Sequence, residues 1–175
     1  MDYESLLKEF RKKPIVEFNS LAQKTSFNKE DIHKIIPHRD PFLLVDTITG
    51  IDLTQEVITG ERYISPDEPL FKGHFPDFPV YPGSLQLEMV GQLGLCLHYF
   101  IEKKSTRIEE GASPSGVRAT RIIGAHFLQP ILPDRTVRLI AKKLEYDTFF
   151  GTIIGQVISD EKVCSVSISE VCFTD

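Results

Sequence analysis

Between residues 84 and 101 the apolar side chains, Leu85, Leu87, Met89, Val90, Leu93 and Leu97 among them, fall all round a helical wheel. A helix with apolar residues on every side does not lie on a surface, so the rest of the chain must be arranged to enclose it. At 175 residues and 41% hydrophobic content the chain suits one domain with a real core.

The enclosing material reads as β-structure. "FLLVDTITGI" (42–51) and "QEVITGERYI" (55–64) are rich in β-branched residues and read as a hairpin. Four more segments, 117–128, 136–146, 149–159 and 163–173, have strand character, with a hairpin turn expected at 144–148. Ahead of them, Tyr3, Leu6, Leu7 and Phe10 have helical spacing that Pro14 ends. Ser26 or Asn28 can cap a second short helix near Ile32. The expectation is an α+β domain over 31–175, a sheet packed on one central helix, preceded by an N-terminal helical extension over 1–30.

Bulk properties remove several function classes. A net charge of −5 with scattered Lys and Arg argues against nucleic acid. No apolar run is long enough to span a bilayer, and "MDYESLLKEFRKKP" mixes charges too early for a secretory signal. Cys96, Cys164 and Cys172 are odd in number and lack metal-ligand spacing, which reads as reduced thiols in a cytoplasmic protein. No histidine pair has zinc spacing, so no metal and no cofactor is expected.

The central helix carries its own anomaly. Three of its polar residues, Ser84, Glu88 and Gln92, are spaced by four and so share one face. A buried carboxylate without a partner costs several kcal/mol. Glu88 therefore either pairs with a cation or has its pKa raised and stays protonated, as a general acid requires. Gln92 is placed to orient it. Just upstream, His74 precedes Pro76, Pro79 and Pro82, a segment with little entropy left to lose. His74 is then either a fixed base or an ordinary loop histidine; His38, in "PHRDP", is the other serious candidate. Pro82 and Gly83 mark the helix start, where the N–H groups of Gly83, Ser84 and Leu85 could face a developing oxyanion.

Two long motifs, "PHRDPFLLVD" (37–46) and "GHFPDFPVYPGSLQLEMVGQ" (73–92), resemble those of the beta-hydroxyacyl-(acyl-carrier-protein) dehydratases of fatty-acid synthesis. The resemblance covers roughly residues 30 to 173. It implies the hot-dog fold, a curved antiparallel sheet wrapped round the helix, and a homodimer or a trimer of dimers with active sites at the dimer interface. It places the catalytic histidine at His74 and the catalytic acid at Glu88 of the partner subunit. Support for the acid falls on Gln92, and the amide facing the thioester carbonyl falls on Gly83, beside Ser84. It implies reversible dehydration of a 3-hydroxyacyl thioester carried on the phosphopantetheine arm of acyl carrier protein, for fatty-acid or related polyene or polyketide synthesis. Phe78, Leu85 and Met89 are expected to line the acyl tunnel. Glu88 and Ser84 stand where double-bond-isomerising siblings have aspartate and a nearby cysteine, which favours dehydration alone. The N-terminal extension nevertheless resembles the isomerising branch. "FLQPILPDR" (127–135) lacks the arginines of the family's "FRRPVxPGD", which leaves carrier docking through it in question. A hot-dog thioesterase and a non-catalytic partner subunit are the competing readings.

Overall fold

The computed structural model describes residues 1–21 and 23–174. Ten elements matter here: α1 (Tyr3–Phe10), β1 (Gln23–Asn28), α2 (Lys29–Ile32), β2 (Thr47–Asp52), β3 (Val57–Ile64), α3 (Gly83–Lys103), β4 (Val117–Phe127), β5 (Arg135–Tyr146), β6 (Phe150–Ser159) and β7 (Lys162–Phe173). The strands form one seven-stranded sheet in the order β1-β2-β3-β5-β6-β7-β4, and every pairing is antiparallel. Helix α3 packs on β3, β5, β6 and β7, as its apolar circumference requires. This is the hot-dog arrangement that the resemblance implies.

Two glycines let helix and sheet interlock. A Cβ on Gly94 of α3 would stand 2.3 Å from Ile153 Cδ1, and one on Gly155 of β6 would stand 2.6 Å from Val90 Cβ. The close neighbour of Gly94 is thus a strand side chain rather than a second backbone. Gly91 has open space around it and borders a cleft.

The N-terminal segment departs from the helical extension that residues 1–30 suggest. It ends in β1, which pairs with β2 at the sheet edge. Before that it covers the outer face of the sheet. Leu7, with Tyr3, Leu6 and Phe10 around it, packs on Ile154, Val166 and Ile168, while Val16 and Leu21 pack on Val57, Ile140 and Ile158. Strand β6 is consequently buried on both faces from Gly151 to Ser159. Gln156, fully buried, fastens the segment: its amide donates to the Phe10 and Lys13 carbonyls and accepts from the Ile15 N–H at 2.8 Å. The segment is part of the domain's core, because both faces of the sheet's centre are apolar.

Local signals held at several other points. Asn28 caps α2, accepting from Asp31 N–H at 3.1 Å. Residues 42–46 are not strand, although their apolar run reads like one. They form an irregular segment, buried at Leu43, Leu44 and Val45, where Gln92 accepts from the Leu44 N–H and Arg62 donates to the Leu43 carbonyl. The β5–β6 turn lies after Tyr146, with Asp147 Oδ1 accepting from the Phe149 and Phe150 N–H groups.

Candidate active site

Two clefts open along the N-terminal half of α3, and Ser84 lines both. The first holds His74 together with Tyr81, Gly83, Gln86 and Phe127. The hydrogen-bonded loop between the short 3-10 helix Pro69–Lys72 and α3 positions the histidine. Its N–H donates to Leu70 O at 3.0 Å, and Val80 N–H donates back to its carbonyl at 3.1 Å. The ring then bonds Val80 O through Nδ1 at 2.9 Å. A carbonyl can only accept, so Nδ1 carries the proton and Nε2 of the neutral ring keeps its lone pair. That tautomer makes a half-buried His74 a ready proton acceptor.

Gly83 is the first residue of α3, with Pro82 as its cap. A Cβ there would meet the Phe127 ring at 2.8 Å, so only glycine admits that ring against the helix start. The expectation of three free N–H groups needs one correction: Leu85 N–H donates to Pro82 O at 3.1 Å. Gly83 and Ser84 remain as the donors at the positive end of a 21-residue helix.

The second cleft, about 380 Å³, holds Glu88, Gln92 and His38 against a wall of Leu87, Leu95 and Ile122. Gln92, 1% exposed, uses every polar position it has. Its Oε1 accepts from Leu44 N–H at 2.7 Å, and its Nε2 donates to Phe42 O at 2.8 Å and to Glu88 Oε1 at 2.9 Å. It thereby holds the "PHRDPFLLVD" segment against the helix and aims Glu88. Arg62 fixes the same segment from β3, donating to Leu43 O at 3.1 Å while paired with Glu68 at 2.9 Å. Nothing in the local sequence of Arg62 announces that role, since its partners lie in other segments.

His38 is the neighbour with the largest effect on Glu88. Its Nε2 stands 3.4 Å from Glu88 Oε1. This imidazole does most to hold the carboxyl below the usual carboxylate range; partial burial opposes it and the Gln92 amide adds to it. Of the two alternatives for a buried helix acid, Glu88 takes the paired one. The partner is a histidine and an amide rather than Arg or Lys. Protonation by burial is not found in the single chain, because the Glu88 face of α3 opens on the cleft and leaves its side chain 34% exposed. A depressed carboxylate adds stability that is full above its unfolded pKa and is lost as pH falls through its folded value. The loss of stability in His38→Ala, followed by urea unfolding, is therefore expected at pH 7 and to shrink as the pH falls below the carboxylate range.

His74 and Glu88 do not meet within one chain: among the described residues no hydrogen bond or ion pair joins them, and each lines its own cleft. The expected tunnel residues are placed elsewhere in a single chain. Met89 is fully buried in the main core, Leu85 packs against that core, and Phe78 is 59% exposed on the proline loop. Helical phase explains the first two: they lie off the face shared by Ser84, Glu88 and Gln92.

Comparison with known proteins gives a consistent family. The FabA-like domain profile matches residues 36–166. A 3-hydroxyacyl-[acyl-carrier-protein] dehydratase FabZ of Syntrophomonas wolfei is 42% identical, over 81% of this chain and 93% of its own length. The FabZ of Roseiflexus castenholzii is 33% identical, over 76% of this chain and 91% of that protein. Among solved structures, the dehydratase heterocomplex ApeI:P from Xenorhabdus doucetiae shares the fold, with a TM-score of 0.63, 16% identity, and coverage of 82% of this chain and 91% of that one.

Proposed function

Because the chain belongs to the FabA-like family, we propose that it removes water from 3-hydroxyacyl thioesters borne on acyl carrier protein, giving trans-2-enoyl thioesters for fatty-acid synthesis. The observation that carries this reading is the His74 ring, held by Val80 O in the tautomer with a free Nε2 and facing the cleft that Gly83 and Ser84 also line.

His74 Nε2 takes the proton next to the thioester carbonyl. The Gly83 and Ser84 N–H groups, with the helix dipole behind them, stabilise the charge that develops on the carbonyl oxygen. Glu88, aimed by Gln92, hands a proton to the departing hydroxyl. In the open chain Glu88 is an ion; when a second chain and the acyl group close the cleft, lost water raises its pKa toward that of a donor.

The second chain is itself part of the proposal. Among the described residues strand β4 ends the sheet with no strand on its outer side, and Ile122 and Phe127 on it are 51% and 54% exposed. An eleven-residue strand with an open outer edge is a pairing surface. Val117, Ala119 and Ile122 of that strand also line the Glu88 cleft, so a second copy on β4 would cap it and could bring its own His74 to this Glu88.

The test is an assay of purified protein with carrier-linked 3-hydroxyacyl substrates of graded length, following both enoyl product and free thiol. Enoyl product without thiol release is expected. Thiol release without enoyl product would make the protein a thioesterase.

A further inference from the structure

The His74 cleft continues into a second groove. Leu128 and Gln129 line both, and the groove's remaining walls, enclosing about 460 Å³, are Arg11, Lys12 and Pro14 on one side and Glu161, Lys162 and Val163 on the other. Arg11, Lys12 and Lys162 are exposed, and among the described residues none of them forms an ion pair. Glu161, the acid in this lining, is taken up by Arg138 at 2.6 Å. On a chain of net charge −5 this groove is a local concentration of unneutralised positive charge at the mouth of the cleft.

The cations are held in place from two directions. Gln156 binds the backbone on either side of Arg11 and Lys12, at Phe10, Lys13 and Ile15. Lys162 closes the β6–β7 hairpin opposite Ser159, across a turn in which Asp160 and Glu161 have φ of 48° and 61°. Such a turn fits the twist of the paired strands and fixes where the next residue points. Segments about 150 positions apart in the chain thus converge on one groove.

We propose that this groove docks an acidic acyl carrier protein, whose acyl-bearing arm then passes Leu128 and Gln129 to reach His74. This rests on the reading that the His74 cleft takes a carrier-borne thioester. The loop at 127–135 supplies no cation at Leu128 or Gln129, and the N-terminal segment and the hairpin tip supply the charge beside it instead. Charges at the rim of a binding site act mainly on encounter and on salt dependence.

The experiment compares wild type with the triple variant Arg11→Glu/Lys12→Glu/Lys162→Glu on one 3-hydroxyacyl group offered in three forms: on carrier protein, on phosphopantetheine, and on phosphate-free pantetheine. On the carrier, kcat/KM is expected to fall tenfold or more, through KM, with its salt dependence largely lost. Both small substrates should be turned over as by wild type, which also shows the fold intact. A set of Gln substitutions at the same positions should give a smaller loss. Unchanged carrier kinetics overturn the proposal, and so does an equal loss on phosphopantetheine, which would put the cations on the arm's phosphate. If wild type dehydrates none of the three, the functional reading fails instead. Calorimetric binding of carrier protein to wild type but not to the triple variant would then still support the surface, and equal binding would overturn it.

Discussion

Replacing His74 with alanine is expected to lower dehydration by ~10²- to 10⁴-fold, the usual span for removing a positioned general base. The loss should fall on kcat and kcat/KM together, since the proton is moved only in the transition state. Because Nδ1 also bonds Val80 O at 2.9 Å, alanine removes a brace as well as a base. His74→Asn separates the two effects, as an amide can still donate to Val80 O but cannot accept a proton usefully. Equal loss of turnover in both variants, with the asparagine form closer to wild type in thermal stability, is the expected pair of results. Near-normal turnover in either would remove His74 from the mechanism.

The parts of this protein that the sequence made legible are those whose cause is local. Helix α3 was readable because apolar residues all round a wheel admit one environment, and because Pro82 and Gly83 mark its start. The row of Ser84, Glu88 and Gln92 follows from a spacing of four. Strand β1 was not readable, since "QKTSFN" is a mostly exposed edge with little alternation and owes its place to pairing with β2. The 42–46 segment misleads in the opposite sense: an apolar run looks the same whether the backbone finds its partners in a ladder or in Gln92 and Arg62. The lowered pKa of Glu88 owes most to His38, fifty positions away, and the local sequence of the helix could not report it. Gln156 looks like a stray polar residue in a strand until the main chain that it holds is seen.

The separation of the two clefts gives the sharpest test of the site. His74→Ala chains lack the base and Glu88→Gln chains lack the acid, so each alone should be nearly inactive, the second losing ~10²- to 10⁴-fold like the first. If an active site takes His74 from one chain and Glu88 from its partner, a dimer of the two variants contains one site with both defects and one with neither. Co-expressed in equal amounts, half of the dimers are mixed and each regains one of two sites, so about a quarter of wild-type activity should return. A site built within one chain cannot recover, because every site then carries one defect whatever its partner. Purifying the mixed dimer through two different tags should raise the figure to about half. Exchange of subunits can be checked by mass spectrometry of the intact complex. Stable mixed dimers without recovery would show that His74 and Glu88 of the same chain meet after all, by a movement of the proline loop toward the Glu88 face of α3.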